Sequence, residues 1–190
     1  MLRPAYPIST ARLLLRPYAE TDLAALADIY RRPEVVRYLY EEPRSTEKMR
    51  ELIKDRLGKV ALEKGGDSLS IVVALKEDPG TAIGTATLLW VSEEHAQGEV
   101  GYTLHPDHQG KGYATEITRT LVDLGFRDTK LHRIIGRLDG RNLASARVLE
   151  KAGMRKEAHL VENEFVKGEW TDEAIYAILR SEWERTQVLD

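Results

Sequence analysis

The sequence contains no cysteine, and this absence removes several kinds of chemistry at once. Disulfide bonds, thiolate nucleophiles and cysteine-ligated zinc are all excluded. Long hydrophobic runs are also missing: no segment approaches the length of a membrane span, and the first residues lack the apolar core of a signal peptide. We therefore expect a cytoplasmic protein with no membrane partner.

A large excess of charge of either sign is missing as well. The formal net charge is -3, which argues against nucleic acid as the main partner and tolerates a cationic substrate. The composition is 42% apolar and 31% charged, as in ordinary globular proteins. With 190 residues, we expect one domain spanning 1–190.

Hydrophobic periodicity predicts the element order β-α-α-β-β-β-α-β-α-β-β. We expect the second helix to run from Ser45 to Gly65-Gly66, a turn at Asp78-Pro79-Gly80, and a final hairpin at Lys167-Gly168. A strand, a crossover helix and a further strand require a parallel pair, whereas hairpins require antiparallel neighbours. The predicted fold is α/β, with a mixed sheet of about seven strands and flanking helices.

Two glycines and a lysine lie between an alternating apolar segment that ends at Leu104 and a helix predicted from Tyr113 to Arg127. Gly110 and Gly112 allow unusual backbone angles, so that the amides of this turn and the helix dipole could hold a diphosphate. Lys111 adds a mobile positive charge. The spacing matches neither a nucleoside-triphosphate loop nor a dinucleotide motif. A glycine-rich helix entry without a ligand explains these glycines equally well.

The surrounding segment GEVGYTLHPDHQGKGYA, residues 98–114, resembles the acyl-coenzyme A motif of the GNAT N-acetyltransferase superfamily. The core of that motif, Q/R-x-x-G-x-G/A, is matched at Gln109, Gly112 and Ala114. Blocks at 10–26, 131–154 and 167–179 resemble the RimJ/RimL-type branch, the ribosomal-protein-alanine N-acetyltransferases and their relatives. The resemblance extends over nearly the whole chain.

This resemblance implies a GNAT-like fold in which the strand carrying Tyr102 separates from its parallel neighbour at a bulge. The pantetheine arm of acetyl-CoA would lie in the gap, and the turn amides would hold the pyrophosphate. No metal is implied. Relatives often pair through their C-terminal strands, so a homodimer is compatible with the resemblance, and the oligomeric state stays open. The implied cofactor-binding residues are Thr103, Leu104, Gln109, Gly110, Lys111, Gly112, Tyr113, Ala114, Thr115 and Asn142.

Asn142 and Ser145 lie at the start of a short helix that is predicted to end at Gly153. Asn142 has an ordinary explanation as a helix cap, and the resemblance adds a hydrogen bond to pantetheine; the two roles are compatible. Many family members carry a tyrosine seven residues after this asparagine, which can protonate the departing thiolate. Here that position is Leu149, so the thiolate must find Ser145, water or a helix-end amide.

A protonated amine must lose a proton before it attacks a thioester, and a carboxylate can accept that proton. Glu99 begins the cofactor-binding strand, where the family often places its base. Glu164 occupies a position that resembles a glutamate implicated in the ribosomal-protein branch. Each could also be an ordinary exposed glutamate of a strand. The implied acceptor is a primary amine, either a protein N-terminus or a small molecule.

Histidines and aromatic residues give weaker signals. His105 and His108 flank a Pro-Asp turn, but solvated histidines are favoured over a metal pair because no third ligand has a defined spacing to them. Trp90, Tyr38 and Tyr40 could line an acceptor pocket, although aromatic residues at such places are more often core.

Transfer is expected to be direct, because the chain has no cysteine and no G-x-S-x-G nucleophile elbow. An amide near Leu104 would stabilise the oxyanion. Two alternatives stay open: the same fold with another donor such as succinyl-CoA, or a non-catalytic coenzyme A-binding module. The missing tyrosine at Leu149 is the one feature that favours the module.

Overall fold

A computed structural model describes residues 1–187 and contains one mixed sheet of eight strands. The strands are β1 (Ile8–Ser9), β2 (Leu13–Arg16), β3 (Ser68–Leu75), β4 (Asp78–Ser92), β5 (Gln97–Leu104), β6 (Arg133–Asp139), β7 (Arg155–Val166) and β8 (Glu169–Leu179). The helices are α1 (Leu23–Tyr30), α2 (Pro33–Val36), α3 (Thr46–Arg56), α4 (Tyr113–Asp128), α5 (Leu143–Lys151) and α6 (Arg180–Gln187). In space the strands follow the order β1-β2-β3-β4-β5-β6-β8-β7, so the predicted mixed α/β sheet is confirmed.

Helices cover both faces of the sheet, because strand side chains alternate between the faces and both sets are apolar. The larger core joins Leu88 and Val100 of the sheet to Ile117 of α4 and Leu149 of α5. The smaller core, on the other face, joins Val72 to α1 and α3. The sheet is therefore the middle of three layers.

Several local predictions are confirmed by backbone geometry. Ser45 caps α3, since its side chain accepts a hydrogen bond from Lys48 N. The Lys167-Gly168 hairpin has positive φ at both residues, +53° and +82°, as a tight two-residue turn requires. Gly153 follows α5 with φ +91°.

Two predicted boundaries are wrong. Helix α3 ends at Arg56 rather than at Gly65-Gly66, because the chain beyond it extends and Leu62 exchanges backbone hydrogen bonds of 2.8 Å with Leu2. A turn was expected at Asp78-Pro79-Gly80, but the chain turns before Asp78, since Asp78 already pairs with Leu75 in the β3–β4 ladder. The short β1 also adds an edge strand to the predicted seven.

The parallel pair β5–β6 opens after three residue pairs, the last of which is Glu99 with Ile135. Beyond this point β5 continues to pair with β4 as far as Leu104, whereas β6 pairs with β8 along its whole length. The two strands therefore follow different neighbours and diverge. The predicted bulge is absent from this part of β5, since its register with β4 shifts only at the far end, near Trp90.

Candidate active site

The opening between β5 and β6 leads into a cavity of about 680 Å³. Residues of β5, β6, the glycine turn, the first turns of α4 and α5, and the segment after α1 line it. The cavity lining includes most of the residues singled out in the sequence: Glu99, Thr103, Leu104, Gln109, Gly110, Gly112, Tyr113, Ala114, Thr115, Asn142 and Ser145. Lys111 and Glu164 are not part of the lining.

Hydrogen bonding in β5 leaves main-chain groups directed into this gap. His105 N donates to Ile83 O at 2.9 Å, which fixes the alternation of the antiparallel β4–β5 ladder. By that alternation, the amides of Tyr102 and Leu104 face away from β4. They point to the side where β6 has already separated, so an extended ligand could pair with them as a strand would.

The glycine turn joins the end of β5 to α4. Gly110 and Gly112 have φ of +73° and +82°, values that side chains disfavour, and Gly112 is the N-cap of α4. Gln109 Nε2 donates to Leu104 O at 3.0 Å and so ties the turn to the strand. The turn thus brings backbone N–H groups and the positive end of a sixteen-residue helix to one end of the cavity.

Arg12 and Glu116 brace this turn, and neither was singled out in the sequence. Arg12 Nη1 donates to Lys111 O at 2.8 Å, and its guanidinium lies 4.6 Å from the centre of the Tyr113 ring. Glu116 accepts hydrogen bonds from Arg12 Nε, Arg12 N and Thr10 Oγ1. Burial would raise the pKa of Glu116, but these bonds outweigh it and hold the pKa below its usual value. The sequence carried one signal for Glu116, since an acidic residue in the first turn of a helix is favourable. No sequence pattern indicated Arg12 as its partner, because the two residues are 104 positions apart.

Asn142 caps α5 as predicted, since its Oδ1 accepts a hydrogen bond of 3.0 Å from Ser145 N. Ser145 Oγ lies 2.9 Å from Tyr102 Oη. Burial raises the pKa of Tyr102 to about 12, although the Ser145 hydrogen bond opposes this. Leu149, at the position where many relatives have tyrosine, is buried against β6, where Gly136 leaves room for it.

Glu99 lies at the point where β5 and β6 separate. Its Oε1 is 3.6 Å from Arg137 Nε, which is also 3.4 Å from Oε1 of the buried Glu173. Burial raises the pKa of Glu99 above its usual value; Arg137 lowers it in part, and Glu173 raises it further. Tyr40 and Asn163 donate to Glu173, so this charge is well satisfied.

Glu164 lies in the β7–β8 hairpin, where Asn163 Nδ2 is 3.4 Å from its carboxylate. Tyr38 and Tyr40 line the cavity, so their interpretation as core residues is wrong; Trp90 is core, with 7% exposure. The sequence pattern could not distinguish the tyrosines that line the cavity from the tryptophan in the core, because the segment after α2 is irregular.

His105, one of the two histidines beside the Pro-Asp turn, has its Nε2 3.1 Å from Asp28 Oδ2.

Within residues 1–187 the structure has no cluster of three or more metal-ligating side chains. Among the helices of the same residues, none is long and apolar enough to cross a membrane.

The family model described as an acetyltransferase (GNAT) domain matches residues 12–155. The chain belongs to the GNAT acetyltransferase family. It is therefore an acyltransferase with a GNAT fold, and the gap between β5 and β6 is the opening that the resemblance implied.

Curated and solved relatives agree with this GNAT assignment. The uncharacterized N-acetyltransferase YnaD of Bacillus subtilis (strain 168) is 33% identical over 93% of this chain and 98% of its own length. A GNAT-family acetyltransferase from Bacillus anthracis has a crystal structure with a TM-score of 0.81 and 31% identity, over 92% of this chain and 98% of that one. Spermidine N-acetyltransferase from Vibrio cholerae, solved with CoA and spermine, has a TM-score of 0.76 and 26% identity, over 90% and 98%.

Proposed function

We propose that this GNAT protein transfers an acetyl group from acetyl-CoA directly to a primary amine. The observation that carries the proposal is the divergence of β5 and β6 after Glu99, beside a glycine turn at the start of α4. The amides of β5 that face away from β4 suit the pantetheine arm of coenzyme A. The amides from Gln109 to Ala114 suit the diphosphate of the same cofactor. The cofactor-bound relative supports this choice of ligand.

In the proposed reaction the amine nitrogen attacks the thioester carbonyl. Glu99 takes the proton of the amine, because it lines the cavity and burial raises its pKa toward that of a useful base. The Leu104 amide stabilises the oxyanion, and Ser145 faces the departing sulfur. Glu164, outside the cavity lining, is the alternative base.

The acceptor enters from the side of Tyr38 and Tyr40. Glu34, Glu41 and Glu99 line the same cavity and supply carboxylates that suit an amine cation, whereas Arg137, Arg147 and Lys151 add positive charge to the lining. A spermidine acetyltransferase among the relatives supports a small amine, whereas the blocks that resemble the RimJ/RimL-type branch support a protein N-terminus. Both classes belong in the same assay.

The test measures release of free coenzyme A from acetyl-CoA with a peptide bearing N-terminal alanine, a polyamine, an amino acid and an amino sugar. We expect turnover of at least one amine, and Glu99→Gln should lower kcat/KM by about a hundredfold. Glu77→Gln, an exposed turn glutamate, is the control. Binding of coenzyme A without turnover of any amine would favour the non-catalytic module, and faster turnover with succinyl-CoA would change the donor.

A further inference from the structure

Two hydroxyl groups meet on the side of the gap opposite Glu99. Tyr102 projects from β5 beyond its last pair with β6, and its Oη lies 2.9 Å from Ser145 Oγ in the first turn of α5. Glu99 and Tyr102 are three residues apart in a regular strand, so their side chains leave from opposite faces. The gap therefore has a carboxylate on one face and a pair of hydroxyls on the other.

The direction of this hydrogen bond follows from acidity. A phenol is more acidic than the alcohol of serine and is the better donor, and the raised pKa of Tyr102 keeps it protonated at neutral pH. With Tyr102 as the donor, Ser145 Oγ accepts and its own proton is free to point elsewhere. Because Ser145 lines the cavity, it can donate that proton in a hydrogen bond to a group bound in the gap.

We propose, on the basis of the proposed function, that Tyr102 is a positioning residue for the departure of coenzyme A. It donates to Ser145 Oγ and thereby directs the Ser145 proton toward the thioester sulfur. As the carbon–sulfur bond breaks, its electron pair goes to sulfur, and the thiolate accepts the Ser145 hydrogen bond.

The two hydroxyls keep their protons over the cycle. The thiolate takes its proton from water, and the proton that the amine gives to Glu99 returns to water, so the balance closes. Hydrogen bonds in a chain strengthen one another, which makes the pair a better donor to sulfur than Ser145 alone. The pair thus supplies the hydrogen-bond donor that Leu149 cannot.

A purely structural contact would only fasten α5 to β5, and kinetics distinguishes the two roles. We would measure kcat with acetyl-CoA and the best amine for the wild type, Tyr102→Phe, Ser145→Ala and the double variant. Each single change should lower kcat about tenfold, with KM for acetyl-CoA within about twofold. The double variant should be no slower than Ser145→Ala, because Tyr102 acts through Ser145.

Two further variants keep the test independent of stability. Ser145→Thr retains the hydroxyl and should stay within about threefold of wild type. Tyr6→Phe removes a half-buried hydroxyl that bonds to Val60 O, away from the cavity, and should leave kcat unchanged. Two results would overturn this inference without affecting the proposed function. One is a double variant in which the two losses of kcat multiply, and the other is an unchanged kcat in Tyr102→Phe. A wild type that acetylates no amine would overturn the proposed function and this inference with it.

Discussion

Arg12 and Glu116 hold the glycine turn from outside the cavity. The guanidinium of Arg12 donates to the Glu116 carboxylate and to the carbonyl of Lys111, at 2.8 Å in each case. One side chain thus connects the segment before β2, the turn and the first turn of α4. The turn is therefore fastened by charged hydrogen bonds before any ligand enters, which reduces the ordering that binding would require.

Removing this brace should weaken coenzyme A binding. We expect Arg12→Ala to raise the Kd for coenzyme A about fivefold to tenfold, because loss of charge-assisted hydrogen bonds frees the turn. Isothermal titration calorimetry measures the effect. Arg3→Ala is the matched control, since Arg3 has the same charge and pairs with Glu63 on the exposed surface. Equal affinity in the wild type and Arg12→Ala would contradict the role of Arg12.

The Glu116 carboxylate should make stability depend on pH. Its folded pKa lies below the usual 4.5, so its contribution is present above about pH 4.5 and is lost as the pH falls through the folded pKa. Glu116→Gln should therefore cost about 1 to 2 kcal/mol at pH 7 and less at lower pH. Urea unfolding of both proteins at a series of pH values measures the difference. A difference that does not narrow on acidification would argue against this account.

Arg137 should set the acid limb of the activity profile. Its positive charge lowers the pKa of Glu99, which burial and Glu173 raise. In Arg137→Gln the pKa of Glu99 should rise, because the positive charge that lowers it is gone, so that kcat/KM falls off at a higher pH. The measurement is a pH–rate profile with the best amine. Arg127→Gln, a change of an exposed arginine, should leave the limb in place.

Gly84 should be required for the close approach of β4 to β5. A Cβ at this position in β4 would lie 2.2 Å from the carbonyl oxygen of Thr103 in β5. Gly84→Ala must push β5 away from β4, and we expect about 2 kcal/mol or more of lost stability. Gly101→Ala is the control on the neighbouring strand, since its Cβ would meet nothing within 4 Å. Thermal unfolding compares the two, and equal midpoints would refute the close-approach argument.

Features set by neighbouring residues were predictable. The hairpin at Lys167-Gly168, the cap at Ser45 and the start of α4 follow from local turn and capping chemistry, and all three match the structure. The end of α3 was not predictable in this way. Its outcome depends on the pairing of Leu62 with Leu2, a contact between distant parts of the chain.

The sequence by itself determined the family, through motif blocks that extend over nearly the whole chain. It also determined the glycine turn and the residues that begin α4 and α5, because these features depend on backbone conformation over a few neighbours. Only the tertiary structure decided that Glu99 faces Arg137, that Tyr102 meets Ser145 across 43 residues, and that Arg12 reaches Glu116 across 104. Strand order brings these partners together. No local pattern encodes such a contact, since each partner alone has an ordinary role on its own strand or helix.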